Sequence, residues 1–138
     1  MNWKRFFIAF VALYVFLFMW GWLVNGVVLK DVYAETPNLW RSQSEMASLF
    51  QWILLGQAFL VFAFVAIYAT GFAGGGILAG VRFGILLELA AIGMRMGIYA
   101  VQPFPGKLLV LGSIGGLIEM IIAGVIVGAI YKPRSTAQ

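Results

Sequence analysis

The 138-residue chain contains no cysteine and no histidine. Disulfide frameworks, the usual zinc and iron–sulfur sites and His-ligated haem are therefore excluded. Nucleophilic triads that use Cys or His, and the commonest proton shuttle at neutral pH, are excluded for the same reason. The sequence predicts no catalytic residues, no metal site and no obligatory cofactor, and it favours a protein that is not an enzyme.

Charged residues are also scarce. They make up 10% of the chain, whereas 63% of the residues are hydrophobic and the mean hydropathy is +1.00. An ordinary soluble domain has roughly 25% charged residues, and a chain this short could not bury so much apolar surface in water. The net charge of +4 does not indicate nucleic-acid binding, because the basic residues flank apolar runs instead of forming a patch.

Apolar runs long enough to cross a membrane recur along the chain. A helix needs about 20 residues to span the hydrocarbon core. The sequence therefore predicts an all-α, polytopic membrane protein: a four-transmembrane-helix bundle that forms one membrane domain over residues 1–138. The predicted spans are residues 6–29, 47–70, 76–101 and 108–131.

The two chain ends carry the basic residues Lys4, Arg5, Lys132 and Arg134. Four spans place both ends on one side of the membrane, and the positive-inside rule makes that side the cytoplasm. We therefore expect the N- and C-termini to be cytoplasmic and the protein to lie in the inner (cytoplasmic) membrane of a bacterium. The longest loop, 30–46, is then external.

This loop contains Ser42 and Glu45 at the spacing of a capping box, so we expect the second helix to start before it enters the membrane. Trp40 and Arg41 lie just ahead of it. Two interpretations of this pair remain open: an anchor in the lipid headgroups, or a docking surface for a partner.

Glycine is abundant, with 17 residues, and many of these lie four apart on one helix face. Small residues at this spacing let helix backbones approach closely in lipid. We expect the third and fourth helices to pack tightly against each other or against a second copy, and the aromatic first helix, Phe6 to Trp22, to face lipid or a partner. The packing pairs are Gly80/Gly84, Gly93/Gly97, Gly112/Gly116 and Gly124/Gly128.

Polar residues within the spans form two predicted layers. At about 1.5 Å per residue, Glu88 and Glu119 lie about 18 Å and Gln57 about 20 Å from the cytoplasmic helix ends. A second layer, about 28 Å from those ends, contains Asn25, Gln51 and Arg95. Ionisable groups within a span are costly, so each is a candidate site residue that needs a partner.

Several interpretations of this polar set remain open. Glu88 and Arg95 are seven residues apart and can form an ion network with Glu119 that fixes the register of the helices. The same residues suit a transport site for a proton or cation, or a pocket for a lipid, quinone or pigment. Catalysis is disfavoured because no nucleophile or metal set accompanies the carboxylates.

Three stretches carry a resemblance to known proteins: Leu39-Trp40-Arg41 with Glu45-Met46, residues 99–107 (YAVQPFPGK), and residues 115–119 (GGLIE). Together they resemble small, uncharacterised bacterial four-span inner-membrane proteins. The resemblance covers nearly the whole chain. It implies a bacterial integral membrane protein and assigns neither an activity nor catalytic residues.

The leading hypothesis from the sequence is a structural or accessory subunit of a larger membrane assembly, or a homo-oligomer. Its predicted partners are membrane lipids and either other membrane subunits or further copies of itself. The first alternative is a small proton- or cation-coupled transporter that uses the buried acids. The second is a binder of a hydrophobic ligand, with a bound lipid or quinone as the candidate group.

Overall fold

The computed structural model describes residues 1–133, and within them the chain forms helices and connecting loops only. The α-helices are numbered α1 to α6 in chain order, and their bounds are Trp3–Leu23, Lys30–Ala34, Gln43–Ser48, Phe50–Ile67, Gly76–Val101 and Gly106–Ile130. Helix α1 continues as a π-helical turn over Val24–Val28, and α4 continues as another over Tyr68–Phe72.

Four of these helical segments are long and apolar enough to cross a membrane: Trp3–Val28, Phe50–Phe72, Gly76–Val101 and Gly106–Ile130. The all-α, four-helix membrane fold predicted from the sequence is therefore observed. All bounds lie within three residues of the predicted ones, and the larger shifts are at helix starts. Helix α1 starts at Trp3 because the side-chain oxygen of Asn2 accepts a hydrogen bond from the Arg5 amide at 3.3 Å. The fourth spanning segment, α6, starts directly after Pro105.

The second span is preceded by a separate short helix, α3, which begins with the expected capping box. The Ser42 hydroxyl accepts from the Glu45 amide at 3.3 Å, and the Glu45 carboxylate accepts from the Ser42 amide at 2.9 Å. These hydrogen bonds hold the pKa of Glu45 below its usual value. Leu49, with φ −107° and ψ 9°, separates α3 from α4, so the helix is interrupted where the sequence predicted a continuous span.

Helices α5 and α6 pack against each other through their backbones. An added Cβ at Gly80 would overlap the carbonyl of Gly124, and one at Gly84 would overlap the carbonyl of Met120. A Cβ at Gly128 would lie 2.6 Å from the carbonyl oxygen of Gly76. Only glycine permits this approach, which supplies dispersion contacts where lipid offers no hydrophobic drive between helices.

The predicted glycine pairs are not equivalent in the structure. Gly80, Gly84, Gly124 and Gly128 lie in the α5–α6 contact, whereas an added Cβ at Gly93 or Gly97 would meet nothing within 4 Å. Both of these glycines are exposed on α5. A contact of Gly93 and Gly97 with a second copy of the chain therefore stays a prediction.

Helix α1 is more central than its aromatic sequence indicated. One face is buried in the core and packs on both α4 and α6, with Phe6, Ala9 and Leu13 each at 0% exposure. The opposite face, which includes Phe7 and Val11, is exposed. Only this exposed face is available to lipid or a partner, so the expectation for the helix is limited to one of its faces.

The end of the bundle that carries the chain termini, here called the termini end, is closed by polar and aromatic contacts. The Tyr68 hydroxyl donates to the carbonyl of Gly76 at 3.0 Å, and the Tyr68 and Tyr131 ring centroids are 6.2 Å apart. The Asn2 amide donates to the Tyr131 hydroxyl at 3.2 Å. The opposite end, which carries residues 30–46 and 102–105, is called the loop end. Arg134, used above to orient the chain, lies outside the described residues.

The glycine contact gives a direct test of the fold. We expect Gly80→Ala and Gly124→Ala each to destabilise the protein by about 1–3 kcal/mol, because each new methyl group overlaps a backbone carbonyl of the facing helix. Gly93→Ala and Gly97→Ala are the matched controls, and they should be neutral or slightly stabilising since alanine favours a helix. Thermal unfolding in detergent measures both effects. Equal effects at all four positions would contradict the described helix contact.

Candidate functional site

A partly open cavity of about 320 Å³ lies at the loop end between α1, α5 and α6. Residues of these three helices form its walls and floor, while the loops before α3 and before α6 contribute residues at its mouth. Helix α4 contributes no lining residue. The cavity thus lies on the side of the bundle away from α4, at the end opposite the chain termini.

Glycines on one face of α6 create the space. Gly112, Gly115 and Gly116 all line the cavity. An added Cβ at Gly112 would meet nothing within 4 Å, whereas one at Gly115 would lie 3.3 Å from a methyl carbon of Val24. The wall formed by α6 is therefore bare backbone at these glycines, and Gly112 faces its open part.

The floor of the cavity is formed by Arg95, which is held by an ion pair within α5 to Glu88, a buried residue that does not itself line the cavity. An Nη atom of Arg95 donates to an Oε atom of Glu88, two helical turns earlier. The Glu88 side chain is 2% exposed and that of Arg95 is 36% exposed. A Cβ at Gly116 would lie only 2.8 Å from the Glu88 carboxyl carbon and 3.0 Å from an Arg95 nitrogen, so this glycine makes room for the pair.

Glu119 on α6 lines the same cavity beside this pair. Among residues 1–133, Glu119 makes no ion pair and no side-chain hydrogen bond, while Arg95 is already engaged by Glu88. When all three groups are ionised, the floor carries one net negative charge, and it belongs to a carboxylate that is available to a ligand.

Four aromatic and five aliphatic side chains share most of the remaining lining. The Trp20 indole donates to the carbonyl of Gly115 at 3.2 Å, which fixes the ring against α6. The rings of Tyr33 and Trp40 pack edge to face with their centroids 5.0 Å apart, and the ring centroids of Phe104 and Tyr99 are 5.4 Å apart. A ligand in this cavity would meet aromatic surfaces around a polar floor.

The loop over residues 30–46 covers part of the mouth. The Tyr33 hydroxyl donates to the side-chain oxygen of Asn25 at 2.8 Å, and the Asn25 amide nitrogen donates to the carbonyl of Gly21 at 3.0 Å. Burial raises the pKa of Tyr33, so the hydroxyl keeps the proton that it donates. The loop is held across the mouth by the Lys107–Glu35 ion pair at 3.2 Å, which is exposed and therefore weak.

Asn25 lies in the π-helical turn Val24–Val28, at the point where the first span leaves the bundle. A π-turn widens the helix and redirects its side chains, and such turns are frequent at functional sites. In this chain the turn carries Val24 and Asn25 to the cavity. The sequence contains no proline or other obvious signal that predicts it.

The structure brings together four of the polar residues predicted as a site. Asn25, Arg95 and Glu119 line the cavity, and Glu88 is joined to Arg95 by the ion pair. Gln57 instead donates to the carbonyl of Tyr14 at 2.8 Å and joins α4 to α1, while Gln51 is exposed on α4. Depth along a helix places residues in a layer, but which side of the bundle they face depends on helix rotation.

The loop residues Trp40 and Arg41 also differ in their positions. Trp40 lines the cavity and donates to the Thr36 hydroxyl at 3.3 Å, whereas Arg41 is exposed. Trp20, Tyr33, Gln102 and Phe104 line the cavity although the sequence did not single them out as site residues. Aromatic residues near span ends are typical of membrane interfaces in general, so their presence alone does not predict a cavity.

Comparisons of the chain with protein-family models, curated proteins and solved structures found no match. The candidate site is therefore defined by its own geometry.

The ion pair can be tested by removing its charges singly and together. We expect Arg95→Gln to destabilise the protein by about 3 kcal/mol, because two neighbouring carboxylates then lack their cation. Glu88→Gln should cost less, since Arg95 can still interact with Glu119. The double variant should be more stable than Arg95→Gln alone, as fewer buried charges are left without a partner. Thermal unfolding in detergent checks this order, and additive losses in the double variant would argue against a coupled pair.

Proposed function

We propose that this integral membrane protein is a binding protein for a small amphipathic ligand, and that the loop-end cavity is its site. The observation that carries the proposal is an open cavity that combines aromatic walls with an available carboxylate, Glu119. Its volume of about 320 Å³ falls at the lower end of the range that small-molecule sites occupy, roughly 300–1,000 Å³. The ligand would place an apolar body against the aromatic walls and its polar group on the floor.

The proposal includes an orientation and a location. The two chain ends carry four basic residues, Lys4, Arg5, Lys132 and Arg134, against three at the loop end, Lys30, Arg41 and Lys107. The positive-inside rule supports cytoplasmic termini in a bacterial inner membrane. The cavity mouth would then face the outer side, and a ligand would reach it from that side.

Binding is favoured over transport by the asymmetry of the bundle. A transporter needs a route from its site to each side of the membrane. Here the termini end is closed by the backbone contacts of α5 with α6 and by the Tyr68 hydrogen bond to Gly76. The cavity gives no support to the transporter hypothesis or to the accessory-subunit hypothesis. Both stay predictions, as does a bound lipid or quinone.

The test exploits the absence of native cysteine, because a single introduced thiol is then the only one to react. Gly112→Cys places a thiol in the cavity, where an added Cβ meets nothing within 4 Å. Gly93→Cys is the matched control: it is equally open, does not line the cavity, and lies at nearly the same depth, about 26 Å against about 27 Å from the helix ends at the termini end.

We expect a small, water-soluble methanethiosulfonate to modify Gly112→Cys in proteoliposomes much faster than Gly93→Cys, because thiolates react in water and not in lipid. Mass spectrometry of the intact protein measures both rates. An unreactive Gly112→Cys, in a variant whose thermal unfolding matches that of the original protein, would overturn the proposed site.

A further inference from the structure

We infer that the ligand is a small monovalent organic cation, held by the Glu119 carboxylate and the aromatic walls of the cavity. The inference rests on the proposed function, because it concerns the ligand of that same site. It follows from three features of the cavity: the unpaired carboxylate of Glu119, the aromatic side chains in the lining, and the open space beside Gly112.

The charge on the floor selects against anions and neutral molecules. Arg95 is already paired with Glu88, so it offers no free cation to an anionic ligand. Glu119 lines the same cavity and makes no ion pair among the described residues. A neutral ligand that displaced water would leave this group either ionised without a counter-ion or protonated, and in neither state would the ligand gain a charge interaction. A monovalent cation would neutralise the floor.

The number of ligating groups selects against a metal ion. Calcium takes six to eight oxygen ligands and magnesium needs nearly octahedral coordination. The described residues contain no cluster of three or more acidic side chains that could hold a metal, and Glu119 is the single available carboxylate in the cavity. An organic cation needs fewer direct ligands, because its alkyl groups can pack against protein.

The walls provide what such a cation requires. Trp20, Tyr33, Trp40 and Phe104 line the cavity together with Glu119. Aromatic faces attract cations through their quadrupoles, and Trp is the strongest of them in this respect. Quaternary ammonium groups are bound in proteins by this combination of aromatic rings, so the lining fits an onium ion better than a strongly hydrated ion such as sodium.

The position of Gly112 makes it the residue that sets the size of the ligand. Its missing side chain leaves open space in the cavity wall, so a larger residue there would take volume from the ligand without meeting the protein. Gly116 cannot serve in this way, because a Cβ there would meet the Glu88–Arg95 pair. Gly112 is thus a specificity-determining position, and it can be substituted without a clash with the rest of the protein.

Choline and its neutral isostere 3,3-dimethyl-1-butanol separate charge from shape. We expect choline to bind the purified protein at least about tenfold more tightly than the alcohol, which corresponds to about 1.4 kcal/mol. Glu119→Gln should abolish that preference. Glu45→Gln is the control, since Glu45 lies outside the cavity in the cap of α3. Isothermal titration calorimetry in nanodiscs measures the affinities, and equal binding of the two compounds would overturn the inference.

Size selection is tested with tetramethylammonium and tetraethylammonium. We expect Gly112→Val to weaken tetraethylammonium binding by a larger factor than tetramethylammonium binding, while Gly93→Val changes neither. An unchanged ratio of the two affinities in Gly112→Val would remove Gly112 from the role of setting size.

A labelling experiment keeps the inference testable if Glu119→Gln fails to fold, and it separates failure of the inference from failure of the proposed function. With the single-cysteine protein Gly112→Cys, a trimethylammonium-bearing methanethiosulfonate should react faster than a sulfonate-bearing one, after correction for their rates with a free thiol. Rapid but charge-independent labelling would overturn the cationic ligand and leave the binding cavity standing. Absence of labelling by either reagent would overturn the cavity itself.

Discussion

The architecture depends on the close approach of the α5 and α6 backbones. In lipid, helices gain nothing from burying apolar surface against each other, so only close packing and polar contacts can hold them together. Gly80 against Gly124, and Gly128 against Gly76, bring the two backbones into contact near the chain termini. The remaining helices are arranged on this pair, with α1 on α6 and α4 on α1.

The contact changes character along the two helices, and the cavity is a consequence of that change. From the termini end as far as Gly84, the backbones of α5 and α6 are in contact. Next along the helices, the Glu88–Arg95 pair packs against Gly116. At Gly112, an added Cβ would meet no atom within 4 Å. The ion pair thus lies at the boundary between a sealed half and an open half of the bundle. The pair also explains the chemistry, because Arg95 is engaged by Glu88 and Glu119 is left available.

The loop end turns this gap into a site with a cover. The first span widens into a π-turn, Asn25 accepts the Tyr33 hydroxyl, and the loop between α1 and α4 lies across the mouth. Its polar contacts with the bundle include this exposed hydrogen bond and the exposed ion pair of Glu35 with Lys107. Such contacts are individually weak.

The sequence by itself determined the class of fold and the capping box of α3. Long apolar runs demand helices in lipid, because every backbone polar group must be satisfied within its own segment. The Ser42–Glu45 box marks a helix start through local hydrogen bonds, which need no tertiary contact. The starts at Asn2 and Pro105 are also local, but the predicted spans began three and two residues later. The interruption at Leu49 and the π-turn at Val24 carry no such local signal, and the sequence did not predict them.

The candidate site was only partly predictable for a related reason. Charged residues in apolar runs are visible in any sequence, so Glu88, Arg95 and Glu119 could be identified, and their spacing gave their depth. The rotation of each helix about its axis decides which of them meet, and helices that are apolar nearly all round carry little information about rotation. Only the tertiary structure therefore placed Gln57 against α1, Glu119 in the cavity, and Trp20 and Trp40 around it.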